Sequence, residues 1–327
     1  MDPLQNRYPL GFFPTPLHPL KNLSAKFSDH EIFIKRDDQT GLASGGNKTR
    51  KLEYLIYEAL KNNCDTVITA GAQQSNHCRQ TAAACSVAGI ECHLLLGGEE
   101  PSDYNGNLLL SHLLGAGLHF AGEHRKGEDI PALKKELEKK GKKVFVVPYG
   151  GSNILGTFGY INAVNELKQQ LDEQKIDLDY IFFASSSGAT QAGIMAGMDL
   201  FGLKAELIPV NIDKAELEGT TVEEIILGLI KESEQYFKLN KDYSLKDIPL
   251  NREYDDPGYG VITSGERDAV KTLASDEGIL LDPVYTGRAF YGMLDMLRNK
   301  MIKPGSKVLF WHTGGLPANF YYRDQLK

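Results

Sequence analysis

Cysteine is scarce in this chain, with four residues (Cys64, Cys78, Cys85 and Cys92) among 327. That is too few for a disulfide scaffold of this length. No two of them stand in the CxxC spacing of a zinc or thioredoxin-type site, so they read as small buried hydrophobes and no metal is expected. Long apolar runs are missing too. No stretch supplies the ~18 uncharged residues of a membrane span. The opening MDPLQNRYPLGFFPTPLHPL has no charged region leading into an apolar core, and a cytoplasmic protein without a membrane partner is expected. Positive charge is not in excess: 36 Lys and Arg stand against 43 Asp and Glu, a net charge of −7. The run KKELEKKGKK (134–143) falls on an amphipathic helix and its exit and reads as a solvated face. The electrostatics of nucleic-acid binding are therefore absent, and the expected partner is a small molecule. No low-complexity linker or internal repeat divides the chain.

What is present is an alternation of continuous apolar runs with helical patterns, broken by short Gly, Asp or Asn turns. Strands are expected over 31–37, 66–71, 91–97, 118–122, 143–150, 180–187, 205–212 and 307–313. Helices are expected over 47–61, 75–88, 107–114, 130–140, 156–174, 190–200, 221–237 and 265–277. Runs without period-2 alternation suit strands covered on both faces, so the expected fold is α/β with parallel sheets. Ligands in such folds bind beyond the carboxyl ends of the strands.

Five segments fall at such places. In GLASGGNKTRKLEYL (41–55), three glycines and a serine precede Lys48 at a helix start. The segment is not a P-loop, because Asn47 separates Gly46 from the lysine. A cation beside the positive end of a helix is poorly placed, which lowers its pKa and favours the neutral, nucleophilic amine. The plain alternative is an exposed helix-start lysine. In AGAQQSNHCRQTAAAC (70–85), Ser75, Asn76 and His77 open a helix where backbone N–H groups can receive a carboxylate, or where Ser75 simply caps. In FFASSSGATQAGIMAGM (182–198), the N–H groups of Ser187, Gly188, Ala189 and Thr190 can converge on a phosphate, or the turn is small for steric reasons. LDPVYTGRAFYGM (281–293) places Tyr285 and Thr286 before a helix. VLFWHTGGLPANFYY (308–322) ends a strand at Thr313 before two glycines, and Tyr259 sits in the turn DDPGYGV.

From about Pro14 to the C-terminus, the order and spacing of IKRDD, GGNKTRKLEYL, QSNHCRQTAA, GGSNILGTFGY, SGATQAG, LDPVYTG and HTGG resemble the pyridoxal-phosphate-dependent family that contains 1-aminocyclopropane-1-carboxylate deaminase and D-cysteine desulfhydrase. The resemblance implies a fold type II architecture, like the tryptophan synthase β chain, of two open twisted sheets. The large domain would be 1–48 plus 159–327 and the small inserted domain 49–158, in a homodimer. It implies that Lys48 bonds pyridoxal 5'-phosphate covalently and acts as base, and that Asn76 approaches the ring hydroxyl. Residues 187–190 with Lys51 would hold the phosphate. Ser75, Asn76, His77 and Tyr285 would face the substrate, with Tyr285 and Tyr259 tuning the lysine. The ring-opening members carry Glu and Leu where this chain has Thr286 and Thr313. Two hydroxyls near the pyridine nitrogen, with Thr313 meeting it, make a weaker electron sink than a carboxylate does. The expected reaction is thus β-elimination from D-cysteine to pyruvate, hydrogen sulfide and ammonia. Its rivals are opening of the cyclopropane substrate, elimination from L-cysteate, and cofactor binding without turnover.

Overall fold

Strands made of continuous apolar residues need cover on both faces, and the fold meets that need twice. The computed structural model describes residues 2–213 and 219–327. Its nine strands among the described residues are β1 (Leu17–Pro19), β2 (Glu31–Arg36), β3 (Thr66–Ala72), β4 (Glu91–Gly97), β5 (Gly117–Phe120), β6 (Val144–Val146), β7 (Tyr180–Ser185), β8 (Glu206–Asn211) and β9 (Lys307–His312). They form a five-stranded sheet in the order β1-β2-β9-β7-β8 and a four-stranded sheet in the order β5-β4-β3-β6. Every pairing is parallel except β1 with β2.

The helices that cover them are α1 (Lys21–Lys26), α2 (Lys48–Lys61), α3 (Asn76–Ala88), α4 (Gly106–Leu113), α5 (Ile130–Lys139), α6 (Ile154–Gln174), α7 (Ala189–Phe201), α8 (Val222–Ser233), α9 (Ser264–Glu277) and α10 (Thr286–Arg298), with two short turns after Pro317. Alternate residues of one strand serve opposite cores. Ile32, Ile34, Phe182 and Phe310 pack with Phe290 and Met293 of α10, whereas Phe33, Phe183, Leu309 and Trp311 pack with Tyr160 and Val164 of α6. In the smaller sheet Val67, Leu94 and Leu96 face α2 and α3, and Ile68, Ala70 and Leu95 face α5. Helices α6 and α7 approach closely because α7 offers glycine: a Cβ on Gly193 would stand 2.5 Å from that of Tyr160.

A buried ionic cluster ties β2, α2 and α6 together. Arg50 pairs with Asp37 (2.8 Å) and Glu166 (2.9 Å), and Lys35 pairs with Glu166 (2.5 Å). Asp37 also accepts from Tyr160 Oη and Trp311 Nε1. The element that begins at Lys48 is thereby fixed to the centre of the larger sheet.

Some boundaries differ from expectation. The strand expected to run to residue 150 stops at Val146, because Pro148 cannot donate to a ladder and Gly150 turns back at φ 66°. Helix α8 ends at Ser233 rather than 237, where Ser233 Oγ bonds back to Leu229 O. Strand β1 and helix α1 were not anticipated, having three and six residues. No helix among the described residues is long and apolar enough to cross a membrane.

Candidate active site

The loops that leave β3, β7 and β9, together with the turn before α2, enclose one cavity of about 660 Å³ including its part open to solvent. That size suits a small-molecule site. Lys48, the first residue of α2, lines it, and its Nζ donates to Asn47 Oδ1 at 3.2 Å. Its amine is lowered to about 8. Withdrawal from water is the main cause; Asp282 opposes it and Arg79 adds to it. The sequence pointed to a lowered pKa through the helix dipole, whereas here burial is the largest influence.

Beyond β3, Ser75 is the N-cap of α3, its Oγ accepting from Cys78 N at 3.2 Å. Ser75 also lines the cavity, and capping occupies only its oxygen. A hydroxyl that accepts in a cap can still donate its proton, so the two sequence readings of Ser75 are compatible. Asn76 lines the cavity with Oδ1 committed to Arg79 and Asn107. His77 is different. The single proton of Thr69 Oγ1 goes to Val147 O, so Thr69 accepts from His77 Nε2 (2.8 Å), and Nδ1 is a bare acceptor without a protein partner among the described residues. Burial first, then Lys48 and Lys51, holds this imidazole well below its usual pKa. A neutral ring in this tautomer has no N–H left for a carboxylate, so at His77 only the backbone N–H can receive one.

Beyond β7, Ser187, Gly188 and Thr190 line the cavity at the head of α7. Ala189 does not. Its methyl packs with Val222 and Ile226 and its N–H points at Ser152 Oγ (3.4 Å). Lys51 also stands outside the lining, one turn into α2, where Nζ donates to Gly150 O at 3.2 Å. It is 1% exposed and has no carboxylate partner among the described residues. Burial, then Lys48, depresses its pKa strongly. Gly150 has φ 66°, and a Cβ there would lie 2.2 Å from Ser187 Oγ, so glycine opens this corner.

At the C-terminal side Tyr285, Thr313 and Gly314 line the cavity. Tyr285 Oη donates to Tyr259 Oη at 3.0 Å, which places Tyr259 behind it and outside the lining. Burial raises both phenols, so both stay protonated. Thr286, expected beside Thr313, is instead turned into the protein. Its Oγ1 donates to Asp282 Oδ1 (2.7 Å) and accepts from Asp282 N (2.8 Å), because it heads α10 and closes that turn. Sequence reasoning missed Asn47, Tyr149, Gly150, Ala184, Ser185, Ser186 and Gly314 as lining residues. Three of them, Asn47, Ser186 and Gly314, stand directly beside a residue it had singled out. Tyr149 and Gly150 depend on the turn of the chain after β6, which no local pattern announces.

These residues fit pyridoxal phosphate. Two lysines without carboxylate partners sit beside a helix N-terminus, a charge arrangement that calls for an anion. Lys48 is partly deprotonated near neutral pH, as covalent capture of an aldehyde requires. The comparisons agree. A family model described as pyridoxal-phosphate dependent enzyme matches residues 8–314. D-cysteine desulfhydrase of Klebsiella pneumoniae (strain 342) is 41% identical over 96% of this chain and 95% of its own. The bifunctional D-cysteine desulfhydrase/1-aminocyclopropane-1-carboxylate deaminase of Arabidopsis thaliana, mitochondrial, is 40% identical over 98% of this chain and 80% of its own. A crystal structure of an ACC deaminase homologue superposes with a TM-score of 0.88 at 34% identity, covering 98% of this chain and 95% of that one. Matched by this family model from its first strand to its last, the chain belongs to the pyridoxal-phosphate dependent enzymes.

Proposed function

We propose that the protein eliminates hydrogen sulfide from D-cysteine, releasing 2-aminoacrylate that hydrolyses to pyruvate and ammonia. The observation that carries this reading is the lack of any Asp or Glu in the cavity lining among the described residues. The nearest candidate, Asp282, spends its carboxylate on Val284 N, Tyr285 N, Thr286 N and Thr286 Oγ1. Thr313 is then the group for the pyridine nitrogen, and a neutral hydroxyl does not hold a proton there as a carboxylate would. Pyridoxal phosphate supplies the electron sink, and a modest one suffices when the leaving group is a thiolate.

The chain's own residues do the rest. Lys48 Nζ removes the proton from Cα. Ser75 Oγ and the N–H groups opening α3 orient the substrate carboxylate, and Ser187, Gly188 and Thr190 hold the phosphate, with Lys51 supplying positive charge from behind Gly150. The hydroxyl proton of Tyr285 is engaged in its hydrogen bond to Tyr259 Oη, so its oxygen accepts from the substrate's ammonium or thiol. The names of the Klebsiella and Arabidopsis relatives support the substrate.

The test is kcat/KM for D-cysteine, L-cysteine, L-cysteate and 1-aminocyclopropane-1-carboxylate on one preparation. D-Cysteine should lead, with little or no ring opening. Preference for L-cysteate would keep the mechanism and replace the substrate. Efficient ring opening, which the bifunctional Arabidopsis name keeps as the second reading, would overturn the electronic argument from Thr313.

We also infer a division into 49–158 and the remainder, supported by the confinement of β3 to β6 within that span. A cytoplasmic homodimer is supported by four unpaired thiols, which suit a reducing compartment, and by the exposed groove that Leu109, Leu110, Leu316 and Phe320 line.

A further inference from the structure

Arg79 is fully buried in α3, yet among the described residues it has no carboxylate partner. Its Nη1 donates to Asn76 Oδ1 (3.0 Å) and Asn107 Oδ1 (2.5 Å), its Nη2 donates to Gly45 O (2.7 Å), and its Nε is left without a partner. A buried guanidinium is normally matched by an anion, and keeping one unmatched is unfavourable. The place where the charge is felt is therefore informative. Asn76 Oδ1 also accepts from Asn107 Nδ2 at 3.0 Å, so both of its lone pairs are occupied. The amide orientation is then determined, and Nδ2 is the group left for the cavity that Asn76 lines. A cation drawing on Oδ1 makes Nδ2–H a stronger donor.

We propose that Arg79 is the positioning residue behind the cofactor's phenolic oxygen: acting through Asn76, this buried cation holds that oxygen as the anion. The inference rests on the reading that Asn76 meets the ring hydroxyl. The charged groups coupled to Arg79 are Lys48 and Asp282, and neutral His77 stands two residues away on the same helix. Its neighbours from α4 and from the turn before α2, Asn107 and Gly45, do not titrate.

The test is the absorption spectrum of the purified holoenzyme, whose visible band belongs to the phenolate form and whose near-ultraviolet band belongs to the phenol. Arg79→Gln should lose most of the visible band to the near-ultraviolet one and weaken cofactor binding about tenfold. In an Asn76→Ala background the same substitution should change the spectrum no further. Arg79→Lys keeps the charge at low pH, but a lysine so deeply buried loses its proton as pH rises. Its spectrum should convert from visible to near-ultraviolet on alkaline titration where the wild type does not, a result that stands even if the glutamine variant fails to fold. An unchanged spectrum in Asn76→Ala would refute the Asn76 contact itself. A shift in Asn76→Ala combined with wild-type spectra at every pH for the Arg79 variants would overturn the role of Arg79 alone. So would an Arg79→Gln shift of equal size with and without Asn76. None of these readouts uses D-cysteine turnover, so failure of the substrate assignment leaves them intact.

Discussion

At Lys48 the burial that opposes folding also suits the role proposed for it. Its amine is lowered from 10.5 to about 8, mostly because the protein round it excludes water. In the cofactor-free protein the folded state therefore holds a proton on Lys48 less readily than the unfolded chain does. Between pH 8 and 10.5 the unfolded state binds more protons, so stability rises with pH across that window, and the penalty is fully present below it. Cofactor-free Lys48→Met should melt higher than cofactor-free wild type at pH 7, and the gap should close as pH approaches 10.5. A gap independent of pH would mean that Lys48 is not the group responsible. Ser75 caps α3 and is proposed to orient the substrate carboxylate. Ser75→Ala should cost about 1 kcal/mol of stability through the lost cap, and raise KM for the amino acid roughly tenfold through the lost charged hydrogen bond. Ser75→Thr should retain both. A stability loss with unchanged kinetics would reduce Ser75 to its cap.

At the scale of elements, the site is assembled from ends: the starts of α2, α3 and α7 and the exits of β3, β7 and β9. The turn after β9 shows the tolerance. Gly314 has φ 96°, and a Cβ there would come within 2.7 Å of Gly46 Cα, which is backbone and cannot rotate away. The turn that delivers Thr313 thus touches the turn that delivers Lys48, an approach reinforced by Asn47 N donating to Thr313 O at 2.9 Å. Gly314→Ala should destabilise by about 1–3 kcal/mol from strain at that φ, read as a lower urea midpoint. It should weaken cofactor retention as the two turns separate. Retention at the wild-type level would show that the turns move independently. Thr286 teaches the same lesson from the other side. It lies next to Tyr285, yet as the first residue of α10 its hydroxyl belongs to Asp282.

For the whole molecule, the Asp37–Arg50–Glu166–Lys35 cluster joins the larger sheet to the two helices that frame the site. Asp37 is fully buried and its oxygens serve Arg50, Tyr160, Trp311 and Thr15. Asp37→Ala would leave a buried guanidinium short of a partner, and a loss of about 3–5 kcal/mol is expected in denaturant unfolding. A loss under ~1 kcal/mol, within the range of surface pairs, would mean that Glu166 alone satisfies Arg50. The sequence by itself determined what depends on neighbours in the chain: the parallel α/β class from unbroken apolar strands, the helix starts at Lys48, Ser75 and Gly188 from glycine and capping residues, and hence the place of the lysine and of the turns that face it. Only the tertiary structure decided what depends on distant partners. It turned Thr286 and Ala189 inward, set His77 as a bare acceptor through Thr69, brought Tyr149 and Gly150 to the cavity, and gave Arg79 amide and carbonyl partners behind Asn76. Periodicity and capping act over a few residues, but the direction of a hydrogen bond depends on whichever partner the fold brings within about 3 Å.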